Sequence, residues 1–496
     1  MSKMKRLVYL AHRWMGIGGC VLMLLWFISG VVMLYVGYPK LTPSERLATL
    51  PALAEDACCV PLGDLEGGSP GDSVATAVLT SIGGRPAYVL RKAPDRIQAV
   101  SALTGAALQK PATAGDAMLS AQAFAGATAS TYLGEVQEDR WTHGRGLDIH
   151  RPLHKVQVSS PEPSTLYVSS ATGQVVLDAP HSQQRWNYVG AWLHWLYMLR
   201  FQSVDPVWSW IVIVLSGAGT VLAASGVCLG IWRWRFSGRY KSGSRSPYRS
   251  PMMKWHHIGG LLFGAFLCLW IFSGLMSMNP GRVFSPYASP DMASYRGAAG
   301  TDFSGLHDPR RILAALSDTG FVPVELAWLS LAGQPYVLAY DAAADTRLVR
   351  AEDKGLSVGD RWRPEEIRPA AAALFQADIV RQSLLTAYDA YYYQRHAEAM
   401  NGGAKRGLPV LMLEFADPDN TRMYIDLRTA DVNLSLARSE RVGRWLFYFL
   451  HSWDTPPLLK AGALRDAAMI LLSLGGVLIA MTGIVIGWRR LFRDVR

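Results

Sequence analysis

The chain has 496 residues, of which 50% are hydrophobic, and it carries a net charge of +10. This composition is too apolar for an ordinary soluble protein of that length and too polar for a bundle of membrane helices alone. It predicts a membrane protein with large water-exposed parts.

Four stretches are long and apolar enough to cross a bilayer core, which takes about 20 apolar residues. They are residues 14–36, 207–232, 255–278 and 466–488. The first is not expected to be a cleaved signal peptide, because its apolar run is long, no small-residue cleavage site follows it, and a similar run recurs at 255–278.

Charge predicts the orientation of these spans. Basic residues cluster before the first span, between the second and third, and after the fourth: Lys3, Lys5, Arg6, Arg13; Arg233, Arg235, Arg239, Lys241, Arg245, Arg249, Lys254; Arg489, Arg490, Arg493, Arg496. The positive-inside rule places both termini in the cytoplasm and the slightly acidic segments 37–184 and 279–443 outside. The positive charge therefore indicates topology and contact with lipid headgroups, and no nucleic-acid partner is expected.

An internal repeat relates the two halves of the chain at two offsets. At an offset of 244, His12, Gly16, Trp26 and Ser29 match His256, Gly260, Trp270 and Ser273. At an offset of 257, His194, Ser216, Gly226 and Arg233 match His451, Ser473, Gly483 and Arg490. We therefore predict two tandem copies of a membrane unit, with four histidines at matched places.

The two long segments have the patterns of small α+β domains. Alternating or short apolar runs predict strands at 86–90, 164–169, 335–338 and 421–426, and Ala-rich runs predict helices at 111–131 and 364–386. The chain is thus divided into 1–36 (N-terminus and first span), 37–184 (first outer domain), 185–236 (outer helix and second span), 237–254 (basic loop), 255–278 (third span), 279–443 (second outer domain) and 444–496 (outer helix, fourth span and C-terminus).

Cysteine offers little further information. Cys58 and Cys59 are adjacent in the first outer segment, and neighbouring cysteines rarely bridge each other without strain. No disulfide framework or CxxC metal motif is expected, and intermolecular or redox contacts of this pair remain an alternative.

Several motifs together resemble the PepSY-associated transmembrane helix family over nearly the whole chain. They include His12-Arg13-Trp14, the segments 151–155, 172–176 and 186–197 in the first half, and 388–393, 444–445 and 450–454 in the second. The resemblance implies two PepSY-type periplasmic domains on a four-helix core in the bacterial inner membrane. Family members that reduce ferric siderophores carry two haems in that core. Ala430 replaces the Gly expected in the second Thr-Gly turn, so this turn is expected to differ locally.

Depth and symmetry predict how four histidines can hold two haems of the b type. A six-coordinate haem needs two imidazoles at the same depth, with metal–nitrogen bonds of about 2 Å. His12 and His256 begin outward-running spans, whereas His194 and His451 precede inward-running spans, and a membrane helix separates these levels by about 30 Å. We therefore predict an inner pair, His12 with His256, and an outer pair, His194 with His451. Interfacial histidines without ligands are the alternative.

Other residues are candidates for the site on weaker sequence evidence. His257 neighbours His256 and competes with it as a ligand, but it aligns with Arg13 rather than with a histidine. His143, His150 and His154 form a second cluster in the sequence. They are candidates for binding a metal or supporting its ligands, and a purely structural role is the alternative. Tyr391, Tyr392, Tyr393 and His396 are candidates for stacking on a substrate, with domain packing as the alternative. Arg151, Arg395 and Arg444 can pair with propionates or an anionic chelate, or with surface carboxylates.

These patterns predict a di-haem membrane reductase that passes electrons to a ferric siderophore or another ferric chelate outside the membrane. No Rossmann fingerprint, Walker motif, catalytic triad or HExxH motif appears, so the expected electron source is a separate cytoplasmic reductant or membrane quinol. Two alternatives stay open: a membrane-anchored binding or regulatory protein without redox activity, and a haem relay to another periplasmic acceptor.

Overall fold

The computed structural model describes residues 3–55, 58–65, 76–93, 96–126, 129–159, 162–201, 205–297, 303–353, 355–400, 402–403 and 405–492. Its α-helices are α1 (Lys3–Met33), α2 (Pro43–Ala48), α3 (Ala114–Ala125), α4 (His181–Asn187), α5 (Pro206–Arg233), α6 (Pro251–Ser277), α7 (Met292–Arg296), α8 (Pro309–Ser317), α9 (Pro364–Ala372), α10 (Arg438–Arg444), α11 (Leu450–Ser452), α12 (Pro456–Lys460) and α13 (Ala463–Phe492). Arg493 and Arg496, two of the basic residues used to orient the chain, lie outside the described residues.

Among the described residues, four helices are long and apolar enough to cross a membrane, namely α1, α5, α6 and α13. They confirm the four predicted spans as helices, although α1 ends at Met33 and α6 at Ser277, three residues and one residue before the predicted ends. Contacts link α1 to α5, α5 to α6, α6 to α13 and α13 to α1, so the bundle is a four-membered ring in which α1 and α6 lie diagonally opposite. Glycines permit close packing, as at Gly219, where a Cβ would lie 2.9 Å from Met23 Cε.

Fifteen strands follow in the described residues: β1 (Thr76–Ile82), β2 (Arg85–Ala93), β3 (Arg96–Ser101), β4 (Ser130–Val136), β5 (Leu153–Val158), β6 (Ser164–Ser169), β7 (Val175–Pro180), β8 (Glu325–Leu331), β9 (Gln334–Tyr340), β10 (Thr346–Glu352), β11 (Gly355–Gly359), β12 (Ile379–Leu385), β13 (Val410–Phe415), β14 (Arg422–Asp426) and β15 (Val432–Leu436). Each predicted strand lies within or overlaps one of these, namely β2, β6, β9 and β14.

The strands form three sheets, and one of them joins the two long segments. Two four-stranded sheets have the orders β4-β5-β6-β7 and β12-β13-β14-β15. The third has the order β11-β10-β9-β8-β1-β2-β3, with β1 and β8 antiparallel and Val78 opposite Ala327. The sequence did not reveal this shared sheet, because pairing between strands about 250 residues apart leaves no local pattern.

One helix prediction was half wrong. The Ala-rich stretch 364–386 forms helix only over α9 (Pro364–Ala372), and its last residues form β12 (Ile379–Leu385). This strand pairs with β13 over Leu385 to Ile379, so backbone hydrogen bonds to a neighbouring strand outweigh helix propensity. The stretch 111–131 is likewise shorter as a helix, because Gly126 ends α3 in the left-handed conformation.

Cys58 and Cys59 also differ from expectation, since the structure bonds them to each other in a disulfide. Both are buried in the hydrophobic core beside the seven-stranded sheet. Arg310 Nε donates to Cys58 O at 2.6 Å, so the surrounding fold holds this segment in place.

Candidate cofactor site between the membrane helices

The four matched histidines meet in two pairs. The ring centres of His12 and His256 are 6.3 Å apart, with planes inclined at 49°. The ring centres of His194 and His451 are 6.2 Å apart, with planes inclined at 70°. The structure thus brings together the partners that depth and symmetry predict, one from each half of the chain.

Hydrogen bonds occupy the same nitrogen in both inner histidines. In each case Nδ1 lies 3.1–3.2 Å from a main-chain carbonyl oxygen and a hydroxyl oxygen of a neighbouring helix: Leu222 O and Ser225 Oγ for His12, and Ile479 O and Thr482 Oγ1 for His256. A carbonyl oxygen can only accept, so the bond to it requires a proton on Nδ1. The lone pair therefore lies on Nε2, the tautomer that suits metal ligation.

The outer histidines are also held at Nδ1, and the partner that both share is a serine hydroxyl. His194 Nδ1 lies 2.9 Å from Ser29 Oγ, and His451 Nδ1 lies 3.0 Å from Ser273 Oγ. His451 Nδ1 is also 3.3 Å from Trp270 O. Within the described part of the chain, no hydrogen bond to Nε2 of any of the four histidines is seen.

Glycines make room beside each imidazole. A Cβ added to the facing glycine would lie 2.7–3.6 Å from the ring Cε1 in all four places: Gly226 at His12, Gly483 at His256, Gly30 at His194 and Gly274 at His451. At Gly226 the added carbon would be only 2.7 Å from the His12 ring, so that position tolerates no side chain unless the imidazole moves.

A cavity of about 370 Å³ adjoins the inner pair. His12 and His256 line it together with small residues of all four spans, among them Gly16, Gly226, Gly264 and Gly483. Arg13 also lines the cavity, and its buried Nε has no hydrogen-bond partner among the described residues. A flat cofactor with anionic groups fits this combination of space, imidazoles and a free cationic donor.

His257 is engaged at both nitrogens. Its Nδ1 lies 2.8 Å from Ser246 Oγ, and its Nε2 lies 2.9 Å from Gly230 O. No lone pair remains for a metal in this arrangement, so the geometry favours His256 as the inner ligand.

His143, His150 and His154 do not converge on one point. His154 is buried, with Tyr132 Oη 2.9 Å from Nδ1 and Ala112 O 2.9 Å from Nε2. The other two form separate contacts: His143 with Glu138 at 2.5 Å and His150 with Ser169 at 3.0 Å. Burial lowers the pKa of His143 and lowers that of His150 to about 4. These contacts indicate structural roles.

The tyrosine run is mostly packed inside the protein. Tyr392 stacks on Tyr424 at 5.2 Å and donates to Gly407 O, while Tyr393 donates to the Asp454 carboxylate. Tyr392 and Tyr393 are both buried, which favours the packing alternative over stacking on a substrate. Tyr391 is half-buried and His396 is exposed.

Two of the three candidate arginines form ion pairs within the protein. Arg444 forms a buried ion pair with Asp454 at 2.9 Å, and Arg151 pairs with Asp148 at 3.1 Å. Arg395 is partly buried, and its Nε has no hydrogen-bond partner among the described residues. Arg395 therefore retains a donor for an anionic group.

The comparison with known families agrees with this architecture. The model described as the PepSY-associated TM region matches residues 9–490. The chain belongs to the PepSY-associated transmembrane family. No curated protein sequence matches it. The match covers all four spans and the three sheets, so family membership extends over the membrane bundle and both long segments.

The hydroxyl partners of the histidines were not among the predicted site residues. Ser29 and Ser273 appeared only as matched residues of the repeat, although their spacing from His12 and His256 is 17 residues in both halves. Ser225 and Thr482 share the offset of 257. A search for hydroxyl residues conserved between the halves would have found all four.

Proposed function

We propose that this protein is a di-haem b electron-transfer protein of the bacterial inner membrane that reduces a periplasmic ferric chelate and releases Fe(II). The observation that carries this proposal is the spacing of the two histidine pairs. Metal–imidazole bonds are about 2 Å long and a ring nitrogen lies about 1 Å from the ring centre, so two imidazoles on one iron have centres about 6 Å apart. Both pairs have this spacing.

The side chains available as metal ligands favour haem over a metal ion bound by the protein alone. Among the described residues, no group of three or more His, Cys, Asp or Glu side chains is placed to hold a metal. Two imidazoles are too few for a protein-only site but suffice for haem, whose porphyrin supplies the four remaining ligands. When bound, haem supplies a one-electron redox centre at each pair.

The protein's own residues would hold and orient these centres. Ser29 and Ser273 fix the rings of the outer histidines, and Ser225 and Thr482 fix the inner ones, since a partner on Nδ1 sets tautomer and ring orientation. Along α1, Ser29 follows His12 by 17 residues, a rise of about 25 Å. The two pairs therefore lie near opposite faces of the membrane, as an electron path across it requires.

Charge supports an outward direction of transfer. In the proposed topology, basic residues around α1, α5, α6 and α13 mark the cytoplasmic face, and the sheets lie in the periplasm. A cytoplasmic reductant or membrane quinol would supply electrons at the inner pair. One electron converts Fe(III) to Fe(II), and hard-oxygen chelators then hold the metal less tightly, because such ligands favour Fe(III).

The test is anaerobic oxidation of the dithionite-reduced, desalted protein by ferric chelates, followed in the visible spectrum. We expect up to two Fe(II) per chain, captured by a ferrous indicator, and the His194→Ala variant should lose most of this reaction. Cupric chelates and quinone analogues serve as competing acceptors. Faster oxidation by these acceptors would indicate a relay to another acceptor, and a haem-free protein would indicate a binding or regulatory role.

A further inference from the structure

A cleft of about 340 Å³ opens in the first long segment, away from the histidines. Its walls are the end of α2, the β1–β2 turn at Gly83 and Gly84, helix α3 and the turn after β6 at Gly173. Ser81 also lines it, and the buried Oγ of Ser81 has no hydrogen-bond partner in the described residues.

The second half of the chain contains the matching turn, but there the protein covers it. The sequence Ser330-Leu331-Ala332-Gly333-Gln334-Pro335 parallels Ser81-Ile82-Gly83-Gly84-Arg85-Pro86. Ala332 N donates to Tyr295 O and Gly333 N donates to Arg296 O, both at 2.9 Å. Two consecutive carbonyl oxygens at the end of α7 thus satisfy both turn amides.

The side chain of Tyr295 fills the rest of that space. It is fully buried, and its hydroxyl donates to Ala430 O at 2.8 Å. Ala430 matches Gly173 at the offset of 257. Helix α7 therefore bridges the same two turns that face each other across the cleft in the first half.

In the first half, no hydrogen bond joins the corresponding helix, α2, to the turn among the described residues. Arg46 takes the place of Tyr295 at an offset of 249, and its guanidinium forms a bidentate pair with Glu325 at 2.5 and 2.7 Å. In the described residues, the amides of Gly83 and Gly84 form no hydrogen bond. Two amide donors and a buried hydroxyl thus remain around an open space.

We propose that this cleft binds a short peptide segment of a partner protein that presents a tyrosine and two consecutive main-chain carbonyl oxygens. The carbonyls would accept from Gly83 and Gly84, and the phenol would enter the cleft and donate to the turn at Gly173. This recognition repeats the contacts of α7 in the second half, and it is independent of the proposed redox function.

The probe is a labelled, end-capped peptide covering residues 289–299 of this chain, titrated into the purified full-length protein. We expect saturable binding and at least tenfold weaker binding after Ala123→Trp, because Ala123 is an exposed residue of α3 that lines the cleft. Leu133→Trp is the matched control, since Leu133 is 49% exposed on β4 and is not among the residues that line the cleft. A peptide with alanine in place of tyrosine should also bind at least tenfold more weakly.

Amide hydrogen exchange provides a second readout. The amides of Ala332 and Gly333 should be protected throughout, whereas those of Gly83 and Gly84 should become at least tenfold slower to exchange only when the peptide is bound. The proposal is wrong if no binding occurs at about 1 mM peptide, a very weak affinity, or if Ala123→Trp leaves binding unchanged. Equal competition by N-acetyltyrosine amide would instead indicate a site for a small aryl amide.

Discussion

Each of the four paired histidines has the same immediate surroundings. A hydroxyl or carbonyl oxygen of another segment holds Nδ1, and a glycine lies against Cε1. A histidine that merely packs at an interface needs neither the glycine nor a free second nitrogen. His154 and His257 illustrate that simpler role, since both of their nitrogens are engaged.

Substitution of one glycine should disturb the inner site without removing a ligand. Gly226→Ala places a Cβ 2.7 Å from the His12 ring, whereas at Gly217 of the same helix nothing lies within 4 Å. We expect Gly226→Ala to lose most of the haem at the inner pair, and Gly217→Ala to keep it, as measured by the haem content of the purified variants. Equal haem content in both variants would show that the close glycine contact is unimportant.

The pKa of His150 predicts a pH dependence of stability. Burial first, and Arg91 second, lower this pKa from 6.5 to about 4. Since the unfolded chain binds the proton more readily, stability from this residue is complete above pH 6.5 and is lost as the pH falls toward 4. Thermal unfolding should therefore show a smaller drop in Tm from pH 7 to pH 5 in His150→Gln than in the wild type. An unchanged drop would contradict the role of His150.

At the scale of elements, the two halves use equivalent turns with different residues. The β1–β2 turn has Gly83 at φ 59°, whereas the β8–β9 turn has Ala332 at φ 48°. Two-residue hairpin turns of this kind need positive φ, and a left-handed non-glycine residue costs about 1–2 kcal/mol. Ala430 likewise adopts φ 56° where the first half has Gly173 at φ 78°, so the Gly-to-Ala difference changes the residue but keeps the turn.

This difference predicts a stabilising substitution. Ala332 is exposed, so Ala332→Gly should relieve the strain with little loss of packing and raise the free energy of unfolding by about 0.5–1 kcal/mol. Ala106→Gly, at an exposed position without positive φ, should be neutral or destabilising. Chemical denaturation of the two variants measures the contrast, and destabilisation by Ala332→Gly would refute the interpretation.

At the scale of the whole molecule, local patterns predicted the spans and four strands, because apolar length and alternation are recorded in neighbouring residues. The histidine pairs followed from depth and symmetry. The Cys58–Cys59 bond was not expected, because neighbouring cysteines rarely bridge each other without strain. The shared seven-stranded sheet and the strand at Ile379–Leu385 were also missed, because each depends on contacts between distant segments. The same reason explains why burial of Tyr392 and Tyr393 was left open.

Ligation of each haem by one histidine from each half predicts different haem contents for double variants than ligation within one half. If His12 and His256 share one iron and His194 and His451 share the other, each double variant that removes a complete pair spares the second haem. A double variant with one substitution in each pair, such as His12→Ala with His194→Ala, disrupts both sites although it leaves the second half of the chain intact.

Haem content per chain, from the visible spectrum of purified protein, tests this account most directly. We predict two haems per chain in the wild type and in the His257→Ala variant. The double variant His12→Ala with His256→Ala should bind one haem. The double variant His12→Ala with His194→Ala should bind no haem with both axial ligands. A wild-type protein without a Soret band would contradict the account. So would retention of one intact haem in His12→Ala with His194→Ala, because ligation within each half would then be correct.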